Sequence, residues 1–127
     1  MGICDPDFNS LQKISGKDHV TRKKEDRLCY SYDATGKSFL PDAVIFPGSE
    51  QEISDILKLA GQKNIIVIPR GAGSGMTGGA VPISGGLVLV TSRMNKITLI
   101  APDNFIAKVQ PGGIVSDLPT DVEAKGL

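Results

Sequence analysis

The residues best suited to chemistry lie in one stretch, PRGAGSGMTGGAVPISGG, residues 69–86. Seven glycines fall within it, at 71, 73, 75, 78, 79, 85 and 86. Glycines at alternate positions let consecutive backbone N–H groups turn toward one concave point with no side chain in the way. Such a nest takes an anion, and a pyrophosphate suits it. Ser74 and Thr77 add hydroxyl donors, and Arg70 sets a fixed positive charge where the loop begins. Pro69, Ala72 and Met76 complete the first half of the run. A second, smaller nest is offered by Pro111-Gly112-Gly113, which alone is a plain turn signal.

Two common phosphate loops are excluded by context. Gly73, Gly75 and Gly78 spell GxGxxG, but the dinucleotide fingerprint needs glycines that open a helix and an acid some ~20 residues on. Here Gly79-Ala80-Val81-Pro82 follows, and the next acid is Asp103. No Gly-Lys-Ser/Thr follows for a Walker loop. A flexible linker is the plain alternative, yet linkers seldom carry Met76, Ala80, Val81 and Ile83 among their glycines. No general base or nucleophile can be named. His19 is the one histidine, Cys4 and Cys29 form no CxxC pair, and neither HExxH nor GxSxG occurs. Redox chemistry would therefore need a cofactor, with the protein positioning it.

The elements that must hold this loop follow from hydrophobic patterning. Ala43-Val44-Ile45-Phe46 reads as a strand. Ser49 and Glu52 form a capping box, and Ile53, Ile56, Leu57 and Ala60 recur at helical spacing before Gly61, which predicts a helix over 50–60. Ile65-Ile66-Val67-Ile68 is a second apolar strand, so 43–68 reads as a βαβ unit whose two strands pair in parallel. Residues 71–86 are no helix. Strands follow at 87–90, 97–100 and 105–109, and a helix begins near Asp117 with Ser116 as its cap. Phe8, Leu11 and Ile14 suit a short docked helix, but residues 1–27 as a whole read as a peripheral extension. The charge cluster TRKKEDR at 21–27 reads as a solvated helix face.

Composition bounds the function. The 127 residues carry 14 basic and 14 acidic groups, so net charge is zero and nothing draws the chain to nucleic acid. No apolar run approaches the roughly 20 residues of a membrane span. The start, MGICDPDFNS, lacks the positive charge and apolar stretch of a targeting signal, which makes the cytoplasm the default compartment.

From Leu28 to Leu127 the chain resembles the N-terminal flavin-binding region of FAD-linked oxidases of the vanillyl-alcohol oxidase and p-cresol methylhydroxylase (PCMH) type. Within that superfamily it resembles most the FAD-binding subunits of glycolate oxidase and the D-lactate dehydrogenases. The marks are CYSYDATG (29–36), LPDAVIFPGSEQEISDILKLA (40–60), VIPRGAGSGMTGGAVPISGGLVLVTSRMNKI (67–97) and AKVQPGGIVSDL (107–118), closing on GL at 126–127. The resemblance implies an α+β fold. Residues 28–127 would be a partial PCMH-type FAD-binding domain, its first βαβ-containing subdomain and the start of the second, after an extension at 1–27. The loop Pro69, Arg70, Gly71, Ala72, Gly73, Ser74, Gly75, Met76, Thr77, Gly78 and Gly79 would wrap the FAD pyrophosphate. Pro47 would lie on the adenine side, and Pro111 and Gly112 would support the cofactor from the second subdomain.

In relatives with covalent flavin a histidine holds the place of Ser74, so the resemblance implies non-covalent FAD. It also implies an oxidoreductase acting on a small 2-hydroxy acid, glycolate or D-lactate, with electrons passed to a non-nicotinamide acceptor or an iron–sulfur subunit. Family members continue past Gly126-Leu127 into the rest of the flavin site and a substrate cap. These 127 residues are therefore expected to be truncated, inactive alone, and prone to associate through exposed core. Two alternatives stand beside this reading: a fragment that binds no cofactor stably, and a generic nucleotide- or anion-binding module.

Overall fold

The computed structural model describes residues 2–126; Leu127, the last residue of the expected family pattern, lies outside the described residues. Among the described residues there are four helices and six strands: α1 (Asp5–Ser15), β1 (Val20–Thr21), α2 (Lys24–Cys29), β2 (Ala43–Ile45), α3 (Glu50–Lys63), β3 (Val67–Arg70), β4 (Leu87–Val90), β5 (Ile97–Ala101), β6 (Ile106–Val109) and α4 (Asp117–Glu123). Short 3-10 turns sit at Lys17–His19 and Pro102–Asn104.

The main sheet has the order β1-β2-β4-β3. The expected βαβ unit forms, but its strands are not neighbours: β4 enters between β2 and β3 and pairs in parallel with both. The cause is visible at the sheet's lower edge. Gly86 donates to Asp42 Oδ2 (2.7 Å), the Asp42 N–H donates to Gly86 O (2.8 Å), and the Leu87 N–H donates to Ile66 O (2.8 Å). Gly86 has φ +94°, and a Cβ there would press on the Ile66 carbonyl. Gly86 thus feeds β4 into the gap, and LVLV, buried at every position, suits a central strand. β3 becomes the edge, where Pro69 costs no ladder bond.

Both faces of the sheet are covered. Ala43, Ile45, Leu87 and Leu89 face α1 and α3, meeting Phe8, Leu11 and Ile56. Val44, Ile68, Val88 and Val90 face the other way, toward Tyr30 and Phe46, whose rings meet edge to face at 5.4 Å. The N-terminal segment is therefore not peripheral. Ile3, Phe8, Leu11 and Val20 are buried in the larger core, and β1 extends the sheet antiparallel to β2.

Helix α3 begins as expected: Ser49 Oγ accepts from the Glu52 N–H (3.2 Å), and Glu52 accepts from the Gly48 N–H (3.0 Å). It runs through Gly61 and ends at Asn64, whose left-handed φ of 53° closes it. Strand β3 begins at Val67 rather than Ile65, and β5 and β6 pair antiparallel as a separate hairpin. That hairpin and the turn after it leave apolar side chains in solvent, Phe105 at 83% and Val115 at 82% exposure.

Leu11 is fully buried, which decides the status of the N-terminal segment experimentally. Leu11→Ala should cost about 2–4 kcal/mol in urea denaturation. A peripheral extension would lose less than about 0.5 kcal/mol.

Candidate functional site

Strands β3 and β4 point the same way, so Arg70 and Val90 end at one edge of the sheet. In open α/β sheets ligands gather outside the carboxyl ends of such strands. The glycine loop leaves from Arg70 at this edge, and residues 71–86 contain no helix, as the sequence implies. Gly71, Ala72 and Ser74 line a groove of about 430 Å³ whose other wall is Ser92 and Pro111 to Ser116. The structure thus brings both nests, 71–74 and Pro111-Gly112, to one cavity.

The cradle is open. At Gly71, Gly75, Gly78 and Gly79 nothing stands within 4 Å of the place a Cβ would take. Gly73 and Gly78 have φ of +75° and +79°, which requires glycine or a strained residue. Met76 and Thr77 face solvent rather than the groove. Pro69 is exposed on the edge strand, and Pro47 is fully buried behind β2 and lines no part of the cavity.

Arg70 does not reach into the cradle; it lies under it. The side chain is only 6% exposed, and Nη1 donates to the Tyr32 carbonyl at 2.6 Å. Its guanidinium sits 5.6 Å from the centre of the Tyr30 ring, a cation–π arrangement. Gly73 rests directly above, where any Cβ would collide with the guanidinium. Among the described residues Arg70 makes no salt bridge. The nearby Asp33 carboxylate feels its charge without forming an ion pair with it, and a buried charge so weakly compensated is costly; this one lies beneath backbone that is open to an anion. Tyr30 is kept neutral: burial, then the neighbouring Cys29, push its hydroxyl pKa up, against the lowering effect of Arg70.

Several residues of the site have no role that their residue type and spacing announce. Thr91 is buried at the end of β4; its N–H donates to Arg70 O (3.0 Å), and its hydroxyl lies 3.4 Å from Arg70 O and 3.2 Å from Pro111 O. The Gly112 N–H donates to Met94 O (2.8 Å), and the Gly112 backbone rests against Thr91 O, too close for a side chain. Thr91 therefore clasps the two nests together. Arg93 donates to Phe46 O (2.7 Å) and packs so close to Gly48 that a Cβ there would displace it. From the other side, the turn 31–38 supports the glycine loop: the Ala34 N–H donates to Gly75 O at 3.2 Å. Asp33 in that turn has its carboxyl held below the usual range, first by the Thr35 hydroxyl and N–H. Its stabilisation is present above the unfolded carboxyl's pKa of about 4 and is lost as pH falls through the lower folded value.

No group of three or more metal-ligating side chains occurs among the described residues, and both cysteines are free and exposed. No helix among them is long and apolar enough to cross a membrane. What the site offers is backbone donors over a buried cation, an arrangement for holding phosphate rather than for moving protons.

Comparison with known proteins agrees. A family model described as FAD binding domain matches residues 41–127. The chain is 43% identical over 118 residues to the glycolate oxidase subunit GlcD of Bacillus subtilis (strain 168), which covers 92% of this chain and 25% of that protein. It is 38% identical over 87 residues to a D-lactate dehydrogenase of Anaerostipes hadrus, covering 68% of this chain and 18% of that one. The chain thus spans a quarter or less of the length of these relatives. The crystal structure of p-cresol methylhydroxylase with substrate bound superposes with a TM-score of 0.82 at 21% identity, over 99% of this chain and 26% of that one. At that identity the likeness shows the fold: α+β, PCMH-type.

Two glycines of the loop should respond differently to a methyl group. Gly73→Ala meets both a positive φ and the Arg70 guanidinium, and should lower stability by about 1–3 kcal/mol. Gly75→Ala has open space and should stay within about 0.5 kcal/mol of wild type. Thermal denaturation of both variants measures the contrast.

Proposed function

The chain belongs to the FAD binding domain family, and from that premise we propose that residues 69–79 cradle the pyrophosphate of a non-covalently bound FAD in an oxidoreductase of small 2-hydroxy acids, glycolate or D-lactate. The observation that supports this most is the open glycine cradle lying on the buried, ion-pair-free Arg70. The residues present fit the cofactor's diphosphate. Gly71, Gly75, Gly78 and Gly79 leave room for two phosphates to approach the backbone, and Gly73 can sit on Arg70 only because it has no Cβ. The Ser74 hydroxyl, at the groove wall, adds a donor. Thr77 and Met76 would have to turn inward to take part.

The chain's own work is binding and orientation. Backbone N–H groups donate to the phosphate oxygens, and the Arg70 charge, screened from water by its burial, offsets theirs through the loop. Pro111 and Gly112, fixed by Thr91 and Met94, form the opposite wall along which the cofactor would extend. Pro47, buried behind β2, would shape the adenine side only through the backbone of Pro47-Gly48. When bound, the flavin supplies the capacity to accept the hydride released from the hydroxy acid's α-carbon. The substrate and an electron acceptor or iron–sulfur subunit are partners of the whole oxidoreductase, in the cytoplasm. On this reading the exposed apolar hairpin β5–β6 is the surface through which the isolated chain self-associates.

A Cβ at position 75 would meet nothing within 4 Å, so a valine there adds branched bulk beside the loop backbone at a place with open space. Gly75→Val should therefore weaken FAD binding at least about tenfold, some 1.4 kcal/mol, with little change in melting temperature. Flavin fluorescence titration of both proteins measures it, and equal affinities would remove the loop from the site. A wild-type chain that stays colourless with FAD would favour the non-binding fragment. Tighter binding of ADP than of FAD would favour a general nucleotide module.

A further inference from the structure

Asp33 has one carboxylate oxygen in use and one in reserve. The residue is 5% exposed, and Oδ1 accepts both the Thr35 N–H (2.8 Å) and the Thr35 hydroxyl (2.5 Å). Oδ2 is buried and has no hydrogen-bond partner among the described residues. An unsatisfied buried carboxylate oxygen is costly and calls for an explanation. The turn that carries it is firmly closed: the Ser31 and Ser38 hydroxyls lie 2.8 Å apart, the Phe39 N–H donates to Ser31 O (2.9 Å), and Tyr32 and Ser38 form an antiparallel bridge.

The glycine loop stands against this turn at several points. Arg70 donates to Tyr32 O, and the Ala34 N–H donates to Gly75 O. The Gly78 N–H lies close enough to lower the Asp33 carboxyl pKa, yet it completes no hydrogen bond to Oδ2. Gly78, like Gly73, has a positive φ.

We infer that Asp33 is a positioning residue for the anion cradle, whose free Oδ2 takes the Gly78 N–H as the loop closes on a diphosphate. That bond would fix the far limb of the loop and leave the neighbouring Thr77 and Gly79 N–H groups facing the anion. The inference rests on the cradle reading above. A carboxylate beside a diphosphate would repel it were it not for Arg70, which lies under the same loop and carries no other counter-ion. The arrangement needs a carboxylate rather than an amide. Asparagine keeps one acceptor for the Thr35 turn but presents an NH₂ where Gly78 needs an acceptor.

That difference supplies the test. The wild-type chain, Asp33→Asn and Ser38→Ala are titrated with FAD and with inorganic pyrophosphate, and their melting temperatures are compared. Asp33→Asn should bind both probes at least about tenfold more weakly while melting within a few degrees of wild type. Ser38→Ala, which removes the turn's Ser31–Ser38 hydroxyl contact and leaves the partners of the Asp33 carboxylate in place, should bind as wild type does. If Asp33→Asn binds as tightly as wild type, or if Ser38→Ala weakens binding equally, the positioning role of Asp33 is overturned and the cradle stands. A wild-type chain that binds neither probe overturns cradle and inference together. Should Asp33→Asn fail to fold, the wild-type Gly78 amide resonance carries the test: it should shift and gain exchange protection on adding pyrophosphate, and an unmoved resonance overturns the proposal.

Discussion

Everything in this fold follows from one constraint, the threading of β4 between β2 and β3. Parallel strands cannot be joined by a tight turn, because the chain must return from one end of the sheet to the other. Between β2 and β3 that return is α3. Between β3 and β4 it is residues 71–86, which have no helix and are pinned at both ends, by Arg70 above and by Gly86 on Asp42 and Ile66 below. A crossover of this kind costs conformational entropy that helix hydrogen bonds would otherwise repay. What it provides is a stretch of backbone, residues 71–80, that belongs to no helix or strand at the carboxyl edge of the sheet. The connection that completes the sheet is therefore also the surface proposed for the ligand.

Charge placement follows from the same geometry. Arg70 ends an edge strand, alternates inward, and is buried with its head under Gly73, stacked on Tyr30 and bonded to a carbonyl. In that position it cannot form a bidentate clamp on phosphate, which is what an exposed arginine at a loop's start would do. It acts instead as a fixed field source beneath neutral donors, and low surrounding polarity makes that field reach further than it would in water. The absence of a side chain at 73 is the requirement that couples the two: loop and cation occupy nearly the same space.

Much of this was legible in the sequence, and the failures have specific causes. The capping box Ser49–Glu52, the helical spacing in α3 and the apolar tetrads located helix and strands, since those signals are local. The glycine density, and the lack of any helix after it, located the cradle. Strand order was not local: the Asp42–Gly86 contact that inserts β4 joins residues far apart in the chain. One clue was present, because Pro69 inside a strand argues for an edge position. Gly61 is a plausible helix stop, but Asn64 adopts the left-handed conformation, and α3 gains most of another, solvent-exposed turn. Phe8, Leu11 and Ile14 showed the helix without showing what it covers. Thr91, Arg93 and Asp33 lie within the stretches that carry the resemblance, but no pattern of residue types gives them a role, and their roles exist only once the 31–38 turn, the glycine loop and the 91–95 turn meet.

The hairpin β5–β6 shows how little joins the second sheet to the first. It shares no ladder with β1-β2-β4-β3, and many of its apolar side chains face solvent. Its position is set instead by a small polar knot: Thr91 between Arg70 O and Pro111 O, Gly112 on Met94 O, and Gln110, which donates from its backbone to Lys96 O while its side chain accepts the Lys96 N–H. Hydrogen bonds are directional where apolar packing is not, so this knot, together with the buried Met94 side chain, holds Pro111-Gly112 opposite Gly71–Ser74. The groove therefore has one wall backed by a buried sheet and a second wall backed by a few hydrogen bonds. Loss of the Thr91 hydroxyl would loosen the second wall and leave the first intact, because the glycine loop takes its support from Arg70 and the 31–38 turn. On the proposed reading, phosphate holding falls to the wall built on the sheet and cofactor alignment to the wall tied by these hydrogen bonds.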